Sequence, residues 1–171
     1  IDPIRYISNH SSGKQGYAIA EAAMEAGAAV TLISGPTNLR VPARVEIVNV
    51  ESADEMLEKT LNIIEGTDIF ISVAAVADFK VESPALSKIK KTSELKLSLE
   101  LSKTPDILLE ISKLKNGRKP FTVGFAAETE NLIKNAEKKL KEKSLDLIVG
   151  NNVSDPTIGF DSDLNEVTVL G

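Results

Sequence analysis

The residues best suited to chemistry fall at a few places along the chain. One is the run Ser8-Asn9-His10-Ser11-Ser12-Gly13-Lys14-Gln15-Gly16, directly ahead of an alanine-rich helical pattern. Short polar side chains and glycines at a helix start present main-chain N–H groups and the positive end of the dipole, a ready anion site. Gly13 and Gly16 let a ligand approach the main chain closely. The spacing is not G-x-G-x-x-G, and a P-loop would need another glycine where Ser8 stands. A plain N-cap and turn has the same composition, so composition does not separate the two readings. His10 by itself is weak evidence for a base, and a structural hydrogen bond is the better reading.

Two further candidates are strand ends. Ser72-Val73-Ala74-Ala75-Val76-Ala77-Asp78 closes an apolar run with small residues and then a carboxylate. Small side chains there allow a flat base or a ribose to lie against the main chain, and Asp78 suits a ribose hydroxyl or a magnesium ion. Close packing plus a capping aspartate is the competing reading. Gly124-Phe125-Ala126-Ala127-Glu128-Thr129 repeats the arrangement, with Phe125 as a stacking face. Lys88 lies in an unpatterned stretch, residues 76–93, where an ammonium group can fold over a phosphate; a solvated loop lysine is the ordinary alternative. In a helix expected over residues 129–143, Leu132, Ile133, Ala136 and Leu140 share one face, and Lys134, Lys138 and Lys141 fall opposite. Lys143 falls inside the apolar stripe and Lys139 at its margin, where a lysine either snorkels or meets an anion. A regular β-α-β crossover, however, places the end of that helix far from the ligand edge of the sheet.

The elements that must position these groups alternate between helix and strand. Helices are expected over residues 14–26, ended by Gly27, over 53–64 behind the capping box Ser52/Glu55, from Thr104-Pro105-Asp106 to about Leu114 and from the cap Thr129 to 143. Strands are expected at 28–34, 45–50, 68–75, 121–127, 145–149 and 166–170, the last at an edge. Residues 94–101 alternate strictly, with Leu95, Leu97, Leu99 and Leu101 on one face, and suit an antiparallel partner or a subunit interface. The pattern predicts a Rossmann-like, doubly wound, mainly parallel sheet with helices on both faces and an extra strand pair or dimerisation element near 94–101.

Composition narrows the chemistry further. The 171 residues, 42% hydrophobic and 26% charged, suit one globular domain. The absence of cysteine removes a disulfide framework, a thiolate nucleophile and a Cys-based zinc site. One histidine excludes a paired-histidine catalyst. The net charge of −5 argues against nonspecific nucleic-acid binding, while the lysine groups 88–91 and 134–143 suit a small polyanion. No apolar run is long enough for a membrane span, and a cytoplasmic, soluble domain is expected.

In order along the chain, Asp2-Pro3-x-Arg5-Tyr6-Ile7-Ser8-Asn9-His10-Ser11-Ser12-Gly13-Lys14, Ala74-Ala75-Val76-Ala77-Asp78, Lys88-Ile89-Lys90-Lys91, Pro105-Asp106-Ile107, Gly124-Phe125-Ala126-Ala127-Glu128-Thr129 and Leu145-Asp146-Leu147-Ile148 resemble bacterial phosphopantothenoylcysteine synthetase. That resemblance implies a phosphopantothenate–cysteine ligase of coenzyme A biosynthesis. The carboxylate of 4′-phosphopantothenate is activated by CTP with Mg2+ to an acyl-cytidylate, and L-cysteine then forms the amide. It implies Asn9 and Lys88 as catalytic residues, Asn9 handling the acyl intermediate and Lys88 acting from a mobile loop in its formation. Nucleotide contacts are implied at Ser72, Val73, Ala74, Asp78, Lys88, Pro105, Asp106, Ile107, Leu108, Phe125, Lys139 and Lys143. Substrate contacts are implied at Arg5, Asn9, Ser11, Ser12 and Gly13, and no metal ligand is assigned. A homodimer is implied, with a flavin-dependent decarboxylase domain often fused upstream, and neither nucleic acid nor membrane as partner. Members of that family open with a further strand and a Gly-Gly-Thr turn before this Asp-Pro, so residues 1–171 read as a single nucleotide-binding ligase domain without them. Gly150-Asn151-Asn152 stands where Ala-Asn-Asp is more usual. The alternatives are a nicotinamide-dependent reductase and a noncatalytic nucleotide-binding module. Against the reductase, the glycine fingerprint is missing, and no Tyr-x-x-x-Lys pair exists because Tyr6 precedes His10 and Tyr17 precedes Glu21.

Overall fold

Helix α1, Lys14–Glu25, starts behind Gly13, whose φ of 77° no side chain at that position needs to tolerate. It stops at Gly27, φ 93°, where the Ala28 N–H folds back onto the Ala23 carbonyl at 3.0 Å. The computed structural model describes residues 1–90, 96–114, 120–128, 130–152 and 164–171. Lys91, Glu94, Leu95 and the expected cap Thr129 lie outside the described residues.

Strands β1, Thr31–Ser34, and β2, Glu46–Asn49, pair in parallel. Helix α2, Ala53–Ile63, opens on the expected Ser52 cap: the Glu55 N–H donates to Ser52 Oγ at 3.2 Å, while the Glu55 carboxylate accepts the N–H of Glu51, one residue before the cap, at 2.8 Å. A short 3-10 turn, Ile64–Gly66, leads to β3, Ile69–Ser72. Next come β4, Phe79–Val81, β5, Leu101–Lys103, and helix α3, Ile107–Ser112. The chain then forms β6, Phe121–Glu128, helix α4, Leu132–Glu142, β7, Leu147–Asn152, and β8, Val167–Leu170. The main sheet has the order β3-β6-β7-β8, parallel except for the antiparallel edge strand β8.

Side-chain alternation puts Phe70, Thr122, Ala126 and Ile148 on one face of this sheet. There Ile107 and Ile111 of α3 pack with Ile64 and Phe70, and Ala136 of α4 packs with Ala126 and Ile148. On the other side, Gly16 of α1 lies against Val73, just beyond the end of β3. The expected mainly parallel sheet with packed helices is present, with α3 and α4 on one face. The other face carries exposed Ile69, Ile71, Phe121, Val167 and Val169.

The extra strand pair exists but is displaced from its expected position. Leu101–Lys103 pairs antiparallel with Phe79–Val81, and residues 96–100 are not strand. Alternation alone cannot create a strand without a backbone partner, and β4 is only three residues long. Leu97, Leu99 and Leu101 are 57, 37 and 47% exposed, so their stripe is not covered within the chain.

Candidate functional site

The geometry of the site follows from unequal strand lengths. β3 ends at Ser72, paired with Gly124, while β6 continues to Glu128. The sheet edge therefore steps down at β3, and the segment leaving it, residues 73–78, is held from two sides. Asn9 Nδ2 donates to the Val76 carbonyl at 3.2 Å, tying the polar run before α1 to the strand end. The Thr104 hydroxyl donates to the Ala77 carbonyl at 2.5 Å, and its N–H donates to the Asp78 carbonyl at 3.0 Å. The run before α1 and the lead into α3 are thus both bonded to carbonyls of the segment that leaves β3.

The inward lysines arrive at the same step. Lys139 Nζ donates to the Phe125 carbonyl at 2.6 Å, one residue past the last β6 residue paired to β3. Lys143 Nζ lies 2.8 Å from Asp106 Oδ2. Asp106 does two jobs, because its Oδ1 also accepts the Leu109 N–H at 3.1 Å and caps α3. The crossover objection is answered here: late α4 residues need reach only the level where β3 stops, not the far tip of β6.

The charges are mutually adjusted. Burial, with the neighbouring Lys143 ammonium second, holds Lys139 below the usual lysine range, while Asp106, Glu128 and Asp78 act the other way. Burial opposes the charge on Asp106, but the Lys143 and Leu109 hydrogen bonds outweigh it and hold the carboxyl below its usual range. A desolvated ammonium beside a second one is a place where an added anion gains strongly.

The remaining predicted residues separate into groups. Ser11 is exposed, Ser12 and Gly13 are half-buried, and all three precede α1. Ser72 and Val73 are half-buried, Ala74 and Asp78 exposed, and Pro105 half-buried at the lead into α3. Ile107 and Leu108 are each only 6% exposed, so their side chains serve the core and only their main chain can face a ligand. Lys88 stands apart: it is exposed in the stretch 82–90 and tied to the N-terminal turn through its neighbour Ile89. Arg5, expected to meet substrate, is bound to the Asp2 carboxylate and to the Ile89 carbonyl. His10 is exposed.

Some participants escaped sequence reasoning. Thr104 reads in sequence only as the residue before a helix-starting proline. Asn165 Nδ2 donates to Gln15 Oε1 at 2.8 Å, tying the approach to β8 onto the first turn of α1. Asn151, at the end of β7 and paired with Ala127, carries a buried Oδ1 with no hydrogen-bond partner among the described residues. A buried orphan acceptor at a strand end costs free energy until something donates to it, and no sequence pattern signals it. Among the described residues no group of three or more His, Asp or Glu side chains is arranged to hold a metal ion. Among them, too, no helix is long and apolar enough to cross a membrane.

Residues 1–171 match the model of the DNA/pantothenate metabolism flavoprotein C-terminal domain. The chain is 52% identical over 170 residues to the coenzyme A biosynthesis bifunctional protein CoaBC of Haemophilus influenzae, covering 99% of this chain and 42% of the relative. It is 48% identical over 170 residues to the Vibrio vulnificus protein of that name, again covering 99% and 42%. The chain thus spans about four-tenths of the length of these curated relatives. A solved C-terminal domain of CoaBC superposes with a TM-score of 0.76 at 38% identity, covering all of this chain and 79% of that one. A Streptococcus pneumoniae DNA/pantothenate metabolism flavoprotein, 24% identical, shares the fold at a TM-score of 0.78, covering 99% of this chain and 86% of that one.

Proposed function

The chain belongs to the DNA/pantothenate metabolism flavoprotein C-terminal domain family, and from that premise we propose that it is the phosphopantothenate–cysteine ligase part of a coenzyme A biosynthesis protein. The observation that carries the reading is the convergence at the β3 step. Asn9 of the run before α1 is bonded to the segment after β3, while Lys139 reaches the β6 carbonyl next to the β3 end and Lys143 pairs with Asp106, which supports a site for a carboxylate and a triphosphate there.

In the first half-reaction a carboxylate oxygen of 4′-phosphopantothenate attacks the α-phosphorus of CTP, forming the acyl-cytidylate as pyrophosphate leaves. Lys139 and Lys143 supply positive charge to the phosphates, and Lys143 exchanges its Asp106 partner for a phosphate oxygen. Lys88, from its loop, neutralises charge that develops on the departing pyrophosphate. The small residues 73–77 let the nucleoside lie on the main chain, and Phe125 offers a ring to it. Asn151 Oδ1 gains a donor when a ligand fills the edge. In the second half-reaction the cysteine amine attacks the acyl carbon, loses a proton and expels CMP. Asn9 donates its amide N–H to Val76 and so keeps Oδ1 available to orient that amine. Arg5, Ser11, Ser12 and Gly13 flank the place proposed for phosphopantothenate.

Magnesium fits as an ion carried by the nucleotide, since it commonly uses one or two carboxylates plus phosphate oxygens rather than a protein cage. Asp78 is the carboxylate at the sheet edge that would meet it, and the ion would supply charge neutralisation to the phosphates. The exposed leucines 97, 99 and 101, together with Phe79 and Leu86, support a homodimer formed through this apolar patch. A decarboxylase domain fused upstream and a cytoplasmic setting complete the proposal.

Calorimetry separates the ligase from a nicotinamide-dependent reductase: CTP with Mg2+ binds and NADPH does not. Pyrophosphate release that requires 4′-phosphopantothenate then eliminates a noncatalytic module. NADPH binding, or release independent of that substrate, would overturn the assignment.

A further inference from the structure

The N-terminal turn contains a fully enclosed charge that the proposed reaction does not use. The Asp2 side chain has no exposed surface, whereas the Arg5 side chain beside it is 45% exposed. Asp2 Oδ1 accepts the N–H groups of Ile4 and Arg5, each at 3.0 Å. Oδ2 accepts Arg5 Nε at 3.1 Å and is also bonded by Arg5 Nη2. Four of these bonds are local and would suffice to build the turn. The remaining one is not: Oδ2 also accepts the Ile89 N–H at 3.0 Å, across 87 residues. Arg5 Nη2 then donates to the carbonyl of the same residue at 3.0 Å. Both main-chain polar groups of Ile89 are thereby held, and Ile89 directly follows Lys88. A third tie, from the Ala85 N–H to the Ile1 carbonyl at 3.0 Å, fixes the other side of the lysine.

We propose that Asp2 is a positioning residue for Lys88, its carboxylate gripping the Ile89 N–H directly and the Ile89 carbonyl through Arg5, so that the lysine is presented from an anchored loop base. The inference rests on the role given to Lys88 above. An exposed lysine with several rotatable bonds costs conformational freedom each time it is brought to a phosphate. Fixing its main chain removes part of that cost beforehand. A carboxylate suits the task because an ionised acceptor holds several N–H donors at once, which a neutral amide oxygen does less strongly.

The test has two arms in the full chain. Amide hydrogen exchange reads the latch itself. The Ile89 amide, in an otherwise open stretch, is protected roughly tenfold or more, and Asp2→Ala abolishes that protection. Should Asp2→Ala fail to fold, Asp2→Asn, which keeps the size and one acceptor oxygen but gives up the charge, takes its place in both arms. The second arm measures the activation half-reaction. Asp2→Ala lowers its kcat on the order of tenfold with little change in KM for CTP, and the loss nearly disappears in a Lys88→Gln background. An Ile89 amide exchanging at the unprotected rate in the wild type overturns the proposal. So does an undiminished loss in the Lys88→Gln background, because Asp2 would then act on something else. A wild type with a protected Ile89 amide but no activation chemistry overturns both the reaction and the positioning role. The protected amide distinguishes that outcome from failure of the latch.

Discussion

Asp106 joins the fold to the site, and its two jobs can be taken apart. Asp106→Asn keeps an oxygen to accept the Leu109 N–H but gives up the charge facing Lys143; Asp106→Ala loses both. Loss of an N-cap costs about 1 kcal/mol, and α3, only six residues long, has few bonds of its own to absorb it. The pair with Lys143 is partly solvated, with side chains 38 and 25% exposed, so screening limits its worth to about 0–1 kcal/mol. The expected order at pH 7 is therefore wild type, then Asn lower by less than about 1 kcal/mol, then Ala lower by about 1 kcal/mol more. For a domain of this size each kcal/mol moves the thermal midpoint by roughly 2–4 °C. Thermal and urea unfolding of the three proteins measure it. The folded carboxyl sits below its unfolded value of about 3.9, so the pair's contribution is fully present above that value and is lost as pH falls through the folded one. The gap between wild type and Asn thus closes on acidification, and also in 1 M salt, where the screening length falls to about 3 Å. The gap between Asn and Ala at pH 7 persists in that salt. An Asn variant as unstable as Ala, or a wild-type advantage unchanged by salt, would refute the division of labour.

Other perturbations test other parts of the structure. Asn9→Asp replaces the donor to Val76 by a carboxylate oxygen, so amide formation should slow more than carboxylate activation and acyl-cytidylate should accumulate in quenched reactions; equal losses in both halves would remove the assigned role. Lys139 is held below its ordinary range, so between its folded value and about 10.4 the unfolded chain binds more protons and stability rises with pH. Subtracting the pH profile of Lys139→Met isolates that rise, and a flat difference would contradict the burial argument. Thr122, 1% exposed, donates its hydroxyl to Asp146 Oδ2 at 2.7 Å at the opposite sheet end. Thr122→Val should cost about 1–3 kcal/mol in chemical unfolding without altering turnover, and Thr122→Ser should cost less; the reverse order would assign Thr122 to packing instead.

Much of this protein is determined within short windows of its chain. Helix α1 with its Gly27 stop, the Ser52 cap of α2, the apolar strand runs and the lysine breaking the apolar stripe at residue 143 are each set by neighbours within a turn or two. Exclusion of thiol and paired-histidine chemistry follows from composition alone. What only the tertiary structure decided depends on where distant segments stop and meet. The strand boundary near residue 101 awaited the partner at Phe79–Val81. The approach of Lys139 to the level where β3 stops depended on β3 ending four residues short of β6, and the partner of Lys143 on where α3 begins. The non-local bond to Asp2 depended on Ile89, and the buried Asn151 oxygen on meeting no donor among the described residues. Periodicity reports which face of a segment avoids water, because that preference acts residue by residue. Which carbonyl, amide or charge a side chain finally meets is a property of the folded chain's path, and no local pattern carries it.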